Sequence, residues 1–135
     1  MVVRKSFLVI SYVSALSLFF FFIYGSQVVH ASTFTVNSTG DTASTTFTNQ
    51  GICNDGNGNC TFRAAILAAN ATSGAHTINF SIASSGVQTI TLTSAPPLIT
   101  IQNLTIDGTT EAGSSCGDLW SGISPVWNIV IDGNA

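Results

Sequence analysis

Between residues 77 and 93 the chain alternates between apolar and polar positions. In Thr77 to Ile82, Ile78, Phe80 and Ile82 fall on one side of an extended backbone; in Gln88 to Thr93, Ile90 and Leu92 do the same. A period of two marks a strand with one buried face. Thr33 to Asn37 alternates likewise and predicts a first strand. Leu98 to Asp107 and Asn128 to Asp132 predict two more, each closing in Asp-Gly, with Ala95-Pro96-Pro97 breaking the chain ahead of the former. Cys60 to Asn70 has a different texture. Its Leu and Ala favour helix and no Gly or Pro interrupts them. Thr61 stands where an N-cap would take up an unpaired amide of the first turn. Phe62, Ala65, Ile66 and Ala69 share one face, and Ala64, Leu67, Ala68 and Ala71 occupy the other, leaving Arg63 and Asn70 as a polar stripe. A helix this apolar all round is buried or lies as a lid on a core. Ser38 to Asn59, polar and rich in Thr, Asn and Gly, reads as loop.

Leu104 to Gly108 and Ile129 to Gly133 align at a spacing of 25 residues, the separation of Asp107 from Asp132. A strand-and-turn unit recurring at such a period suggests a β-solenoid; the alternative is two unrelated strands ending in a common turn dipeptide. A resemblance bears on the choice. Cys60-Thr61-Phe62-Arg63-Ala64-Ala65-Ile66 resembles the Cys-Ser-Leu-Arg-Glu-Ala-Ile signature of the CSLREA domain. The likeness extends to Phe34 through Asp41, to Cys53, to Ile78-Asn79-Phe80 and to Leu104 through Thr110. It thus covers nearly all of the chain from Ser32 onward. That domain stands near the N-terminus of secreted bacterial proteins with right-handed parallel β-helix repeats. Ala64 replaces the Glu of the signature, so only the Thr61 half of a capping box remains. The resemblance implies a mainly β fold: a capping helix followed by the first coils of a right-handed parallel β-helix, apparently truncated. The expected division is a signal peptide at 1–31, a cap region at 32–76 and β-helix coils at 77–135. With about two coils, the chain reads as the N-terminal piece of a longer protein.

Composition changes the picture at the N-terminus. Arg4 and Lys5 precede an apolar run from Phe7 to Tyr24, and Val29-His30-Ala31 supplies small residues before a cleavage point. This is the layout of a signal peptide, with an exported chain beginning at Ser32. An uncleaved membrane anchor is the alternative, since the 18-residue run reaches the lower edge of a spanning length. Either way the remainder is exported to the medium or the cell surface. From Ser32 on, one cation (Arg63) faces six acids (Asp41, Asp55, Asp107, Glu111, Asp118 and Asp132), a formal charge of −5. Such a surface repels phosphate backbones and excludes nucleic acid as a partner.

Export makes the cysteines readable as disulfide formers. Cys53 and Cys60 bracket Asn-Asp-Gly-Asn-Gly-Asn, a loop flexible enough to bring their sulfurs together, and Cys116 is left over. Arg63 sits in a helix whose other positions are nearly all apolar, so its guanidinium needs carbonyls or a carboxylate. Asp41 is the expected partner in a structural ion pair, with Asp55 second.

Candidate chemistry is thin. Acid–base work falls almost entirely to carboxylates, because His76 is the one histidine after Ala31 and both tyrosines lie in the leader. Asp107 and Asp132, stacked on successive coils, could flank a glycosidic bond; the plainer reading is that each sets the turn after its strand. Asp55-Gly56-Asn57-Gly58-Asn59 imitates the start of a calcium loop, but Ile66 occupies the position of the twelfth-residue Glu. Only a weak ion site stays open there, and no metal or cofactor is expected. Trp120 and Trp127 either pack on the strands, the favoured reading, or stack on sugar rings. The expected role is a non-catalytic structural module at the cell surface, touching extracellular polysaccharide or other surface components. The alternative is a fragment of a β-helix carbohydrate-active enzyme, a polysaccharide lyase or glycoside hydrolase, with its site on later coils or at Asp107 and Asp132. Membrane contact is expected only through an uncleaved leader.

Overall fold

A computed structural model describes residues 30–118 and 120–133. The leader segment carrying Arg4, Lys5 and the Phe7–Tyr24 run lies outside the described residues. Among the described residues five strands form: β1 (Ser32–Val36), β2 (Ala75–Phe80), β3 (Gln88–Thr91), β4 (Asn103–Asp107) and β5 (Ile129–Asp132). Two helices lie between β1 and β2: α1 (Thr45–Thr48) and α2 (Phe62–Asn70).

All strand pairing between these elements is parallel. One sheet has the order β1-β2-β4, with Phe34 opposite Ile78 and Ile78 opposite Ile106. The other pairs β3 with β5, setting Ile90 opposite Ile131. The alternation does what its period requires. Phe34, Val36, Ile78, Phe80, Ile90 and Leu92 point into one core, while Thr33, Thr35, Thr89 and Thr91 face out. Helix α2 packs against β1 and β2 and adds Phe62, Ala65, Ile66, Ala68 and Ala69 to the core. The Phe62 and Phe80 rings stack at 6.2 Å. Thr61 caps the helix, accepting from the Ala64 amide at 3.1 Å.

The expected right-handed parallel β-helix is not what forms. The strands make two small separate sheets, and no closed or curled coil is present among the described residues. The reasons are local. Residues 92–102 contain Pro96-Pro97, which lack amide donors, and this segment contributes no strand; Leu98, read as strand, is exposed. Residues 111–128 also give no strand to either sheet and fold back on themselves, with antiparallel bridges Ser115–Val126 and Asp118–Ile123. The 25-residue repeat likewise fails as a stacking signal, because β4 joins β2 whereas β5 joins β3. In place of a following strand, side chains close the end of β2. Thr110 Oγ1 accepts from the Phe80 amide at 2.7 Å and the buried Glu111 accepts from the Ile82 amide at 2.9 Å.

Helix α1 sits in the stretch read as loop. It is a single turn whose buried Thr48 donates its hydroxyl back to the Ser44 carbonyl at 3.0 Å. Hydrogen bonding of this kind leaves no apolar period for a sequence pattern to detect.

Candidate functional site

The densest polar cluster is built on Arg63, in the first turn of α2. Its Nε and Nη2 donate to the two oxygens of Asp41 at 3.0 and 2.8 Å, a two-pronged pairing. Nε also donates to the Asp41 carbonyl, Nη1 to the Ala95 carbonyl at 3.0 Å and Nη2 to the Ser94 carbonyl at 2.8 Å. Asp41 in turn accepts from the Thr93 amide at 2.7 Å and the Thr93 hydroxyl at 2.8 Å. One guanidinium thereby ties three remote pieces together: the segment after β1, the helix, and the segment after β3. The side chains are 15% and 2% exposed. A planar fork suits this geometry, since it presents fixed donors to a carboxylate and two carbonyls at once. Asp55, the second choice of partner, is not here.

Burial works against a charge on Asp41, but the bonds from Arg63 and Thr93 outweigh it and hold the carboxyl below its usual range. The folded-state value is therefore lower than the unfolded one. The pair's contribution to stability is present above the ordinary carboxylate range, near pH ~4, and is lost as pH falls through the lower folded value. The difference in unfolding free energy between wild type and Asp41→Asn is expected to stay level from neutral pH to about pH 5 and shrink below about pH 4. Denaturant titration across that range checks it, and a difference that persists unchanged into acid would contradict the assignment.

Beside this cluster lies the Cys53–Cys60 disulfide, with the two Cα atoms 5.0 Å apart. Asn37 anchors it to β1: its amide donates to the Cys60 carbonyl and its side-chain oxygen accepts from the Cys60 amide. The intervening loop consumes its own oxygens. Asp55 accepts from the Asn57 and Asn59 amides and from the Asn59 side chain, which together hold its carboxyl below the usual range. Asn54 accepts from Gly56 and Gly58. Among the described residues no group of three His, Cys, Asp or Glu side chains could hold a metal ion. Cys116 is exposed and outside the pair.

The other acids do similar local work. Asp107 accepts from the Thr109 hydroxyl and amide, capping a 3-10 turn at Gly108–Thr110, and its carboxyl is lowered for that reason. Asp107 and Asp132 do not stack: they lie in different sheets, opposite Asn79 and Thr91 respectively. His76 is buried and accepts at Nδ1 from the Ser32 amide at 3.1 Å, leaving its Nε2 proton for Thr72. No family model matches the chain, and neither do any curated proteins or solved structures.

A cleft of about 480 Å³ lies between the end of α2 and the chain entering β4, lined by Asn70, Thr72, Ser73, Ile101, Gln102 and neighbours. Both ends of the Asn70 amide are spent on its rim, donating to the Leu98 carbonyl and accepting from the Thr100 amide. The lining is uncharged and holds no acid–base group. Sequence reasoning missed the acceptors on Ser94 and Ala95, which are backbone carbonyls and carry no residue signature, and it missed Thr93 and Glu111.

Proposed function

We propose that the chain from Ser32 onward is a non-catalytic structural module of an exported protein, working through contacts with extracellular polysaccharide or other cell-surface material. The observation that carries this reading is the fate of the charges. Four of the five N–H groups of the Arg63 guanidinium join α2 to the segments around Asp41 and Ser94. Asp41, Asp55, Asp107, Glu111 and Asp118 are each bonded to the backbone of their own or a neighbouring segment. Charges used to hold loops are not poised for proton transfer. The disulfide supports an oxidising destination, as does the leader pattern, which predicts a mature chain starting at Ser32. Anionic partners are disfavoured by the excess of acids.

The test is a product assay on the secreted chain. Incubation with neutral and acidic polysaccharides is expected to release neither reducing ends nor unsaturated products. Release that disappears on Asp107→Asn would replace this reading with a carbohydrate-active enzyme.

A further inference from the structure

The described residues of the segment from Ser115 to Val126 have no part in either sheet, yet they are tied together by their own hydrogen bonds. Ser115 and Val126 exchange backbone hydrogen bonds in both directions at 2.9 Å, and so do Asp118 and Ile123. The Asp118 carboxylate accepts from the Trp120 amide and from the Ser121 hydroxyl, setting the tip. Gly117, at φ +68°, passes so close to the returning strand that a Cβ there would meet the Ile123 carbonyl oxygen at 2.5 Å. At its base, the Asn128 side chain donates to the Ala112 carbonyl at 2.7 Å and the Asn128 backbone amide donates to the Ser114 hydroxyl at 3.0 Å.

This built hairpin presents apolar side chains outward. Trp120 is 99% exposed, and Ile123, Val126 and Trp127 are also exposed. Packing of Trp120 on the strands, the reading favoured from sequence, is thereby overturned. Isolated surface apolar residues need no explanation; four within eight residues, on a loop with its own hydrogen-bonded frame, mark an interaction surface.

We propose that this hairpin binds neutral polysaccharide, with the Trp120 indole stacking on the apolar face of a sugar ring. This rests on the structural-module reading and names its partner. Charge decides the chemistry. The hairpin carries Asp118 and no cation, and the only cation from Ser32 onward, Arg63, is bound elsewhere. Phosphate polymers and acidic glycans are repelled by such a surface. Interfacial membrane anchors couple aromatic side chains to Lys or Arg, which this tip lacks. A neutral sugar carries C–H groups for the indole face and hydroxyls for the indole N–H and the loop carbonyls, matching a side chain that is apolar in body and polar at one edge.

Affinity electrophoresis of the full secreted chain through gels containing dextran, laminarin or hydroxyethylcellulose tests the proposal. Retardation by at least one polymer is expected. Trp120→Ala should weaken it about tenfold, near the upper end of what one aromatic contact supplies. The melting temperature should not change, because the side chain packs on nothing. Equal retardation of wild type and variant, or none with any neutral polymer, overturns the proposal. Trp120-dependent binding to phosphatidylcholine vesicles with none to the polymers would also overturn it, in favour of a membrane surface. Depolymerisation of the gel polysaccharide would instead remove the non-catalytic reading while leaving the stacking contact standing.

Discussion

Replacing Arg63 with Ala is expected to lower stability by roughly 3 kcal/mol, the cost of breaking a buried ion pair by deleting one partner. For a domain of this size that is a fall in melting temperature on the order of 10–20 °C. The physical basis is what the deletion strands. Asp41, with a side chain only 2% exposed, loses both prongs of its fork. The carbonyls of Ser94 and Ala95 lose their donors in the same step. Thr93 still donates two hydrogen bonds to Asp41, so the carboxylate is not left bare. Arg63→Lys is expected to rescue little, because one ammonium cannot reach a carboxylate and two carbonyls with fixed donors. Superimposable thermal melts for wild type and Arg63→Ala would mean that the contacts are incidental.

The second large effect is expected from the disulfide. Joining Cys53 to Cys60, seven positions apart, closes a short loop, which on the chain-entropy account contributes about 2.5 kcal/mol by restricting the unfolded chain. The paired variant Cys53→Ser, Cys60→Ser should lose about that much in denaturant unfolding. Adding a reductant should destabilise wild type and leave the paired variant unaffected. Loss of stability is expected to concentrate near α2, since Asn37 ties Cys60 to the end of β1 immediately ahead of the helix N-cap. Peptide mapping without reductant should recover one cross-linked fragment spanning the Asn-Gly loop. A fragment that joins Cys116 to either cysteine would contradict the arrangement.

Much of the local structure was legible because its cause is local. Alternation in Thr33–Asn37, Thr77–Ile82 and Gln88–Thr93 reflects a backbone whose successive side chains point to opposite faces, and the apolar positions are buried in each, joined by the polar Gln88 in the third. The run from Phe62 to Asn70 carries its helix in its composition and its N-cap in Thr61. A lone cation in an apolar helix calls for a carboxylate, and the polar segment before it offers two, Asp41 and Asp55, between which the tertiary fold chooses Asp41. Apart from that choice, none of those arguments requires knowledge of where remote segments lie.

Which strands meet was a different matter. An apolar face states which side is buried and leaves open which edge is paired, so the 25-residue likeness of β4 and β5 gave no warning that β4 would join β2 and β5 join β3. The same gap hid the acceptors of Arg63 on Ser94 and Ala95, because every residue has a carbonyl and only the tertiary fold selects two of them. The exposure of Trp120 was decided there too: whether an aromatic ring is covered depends on what the fold brings against it, and the closed hairpin at 115–126 holds this one in solvent.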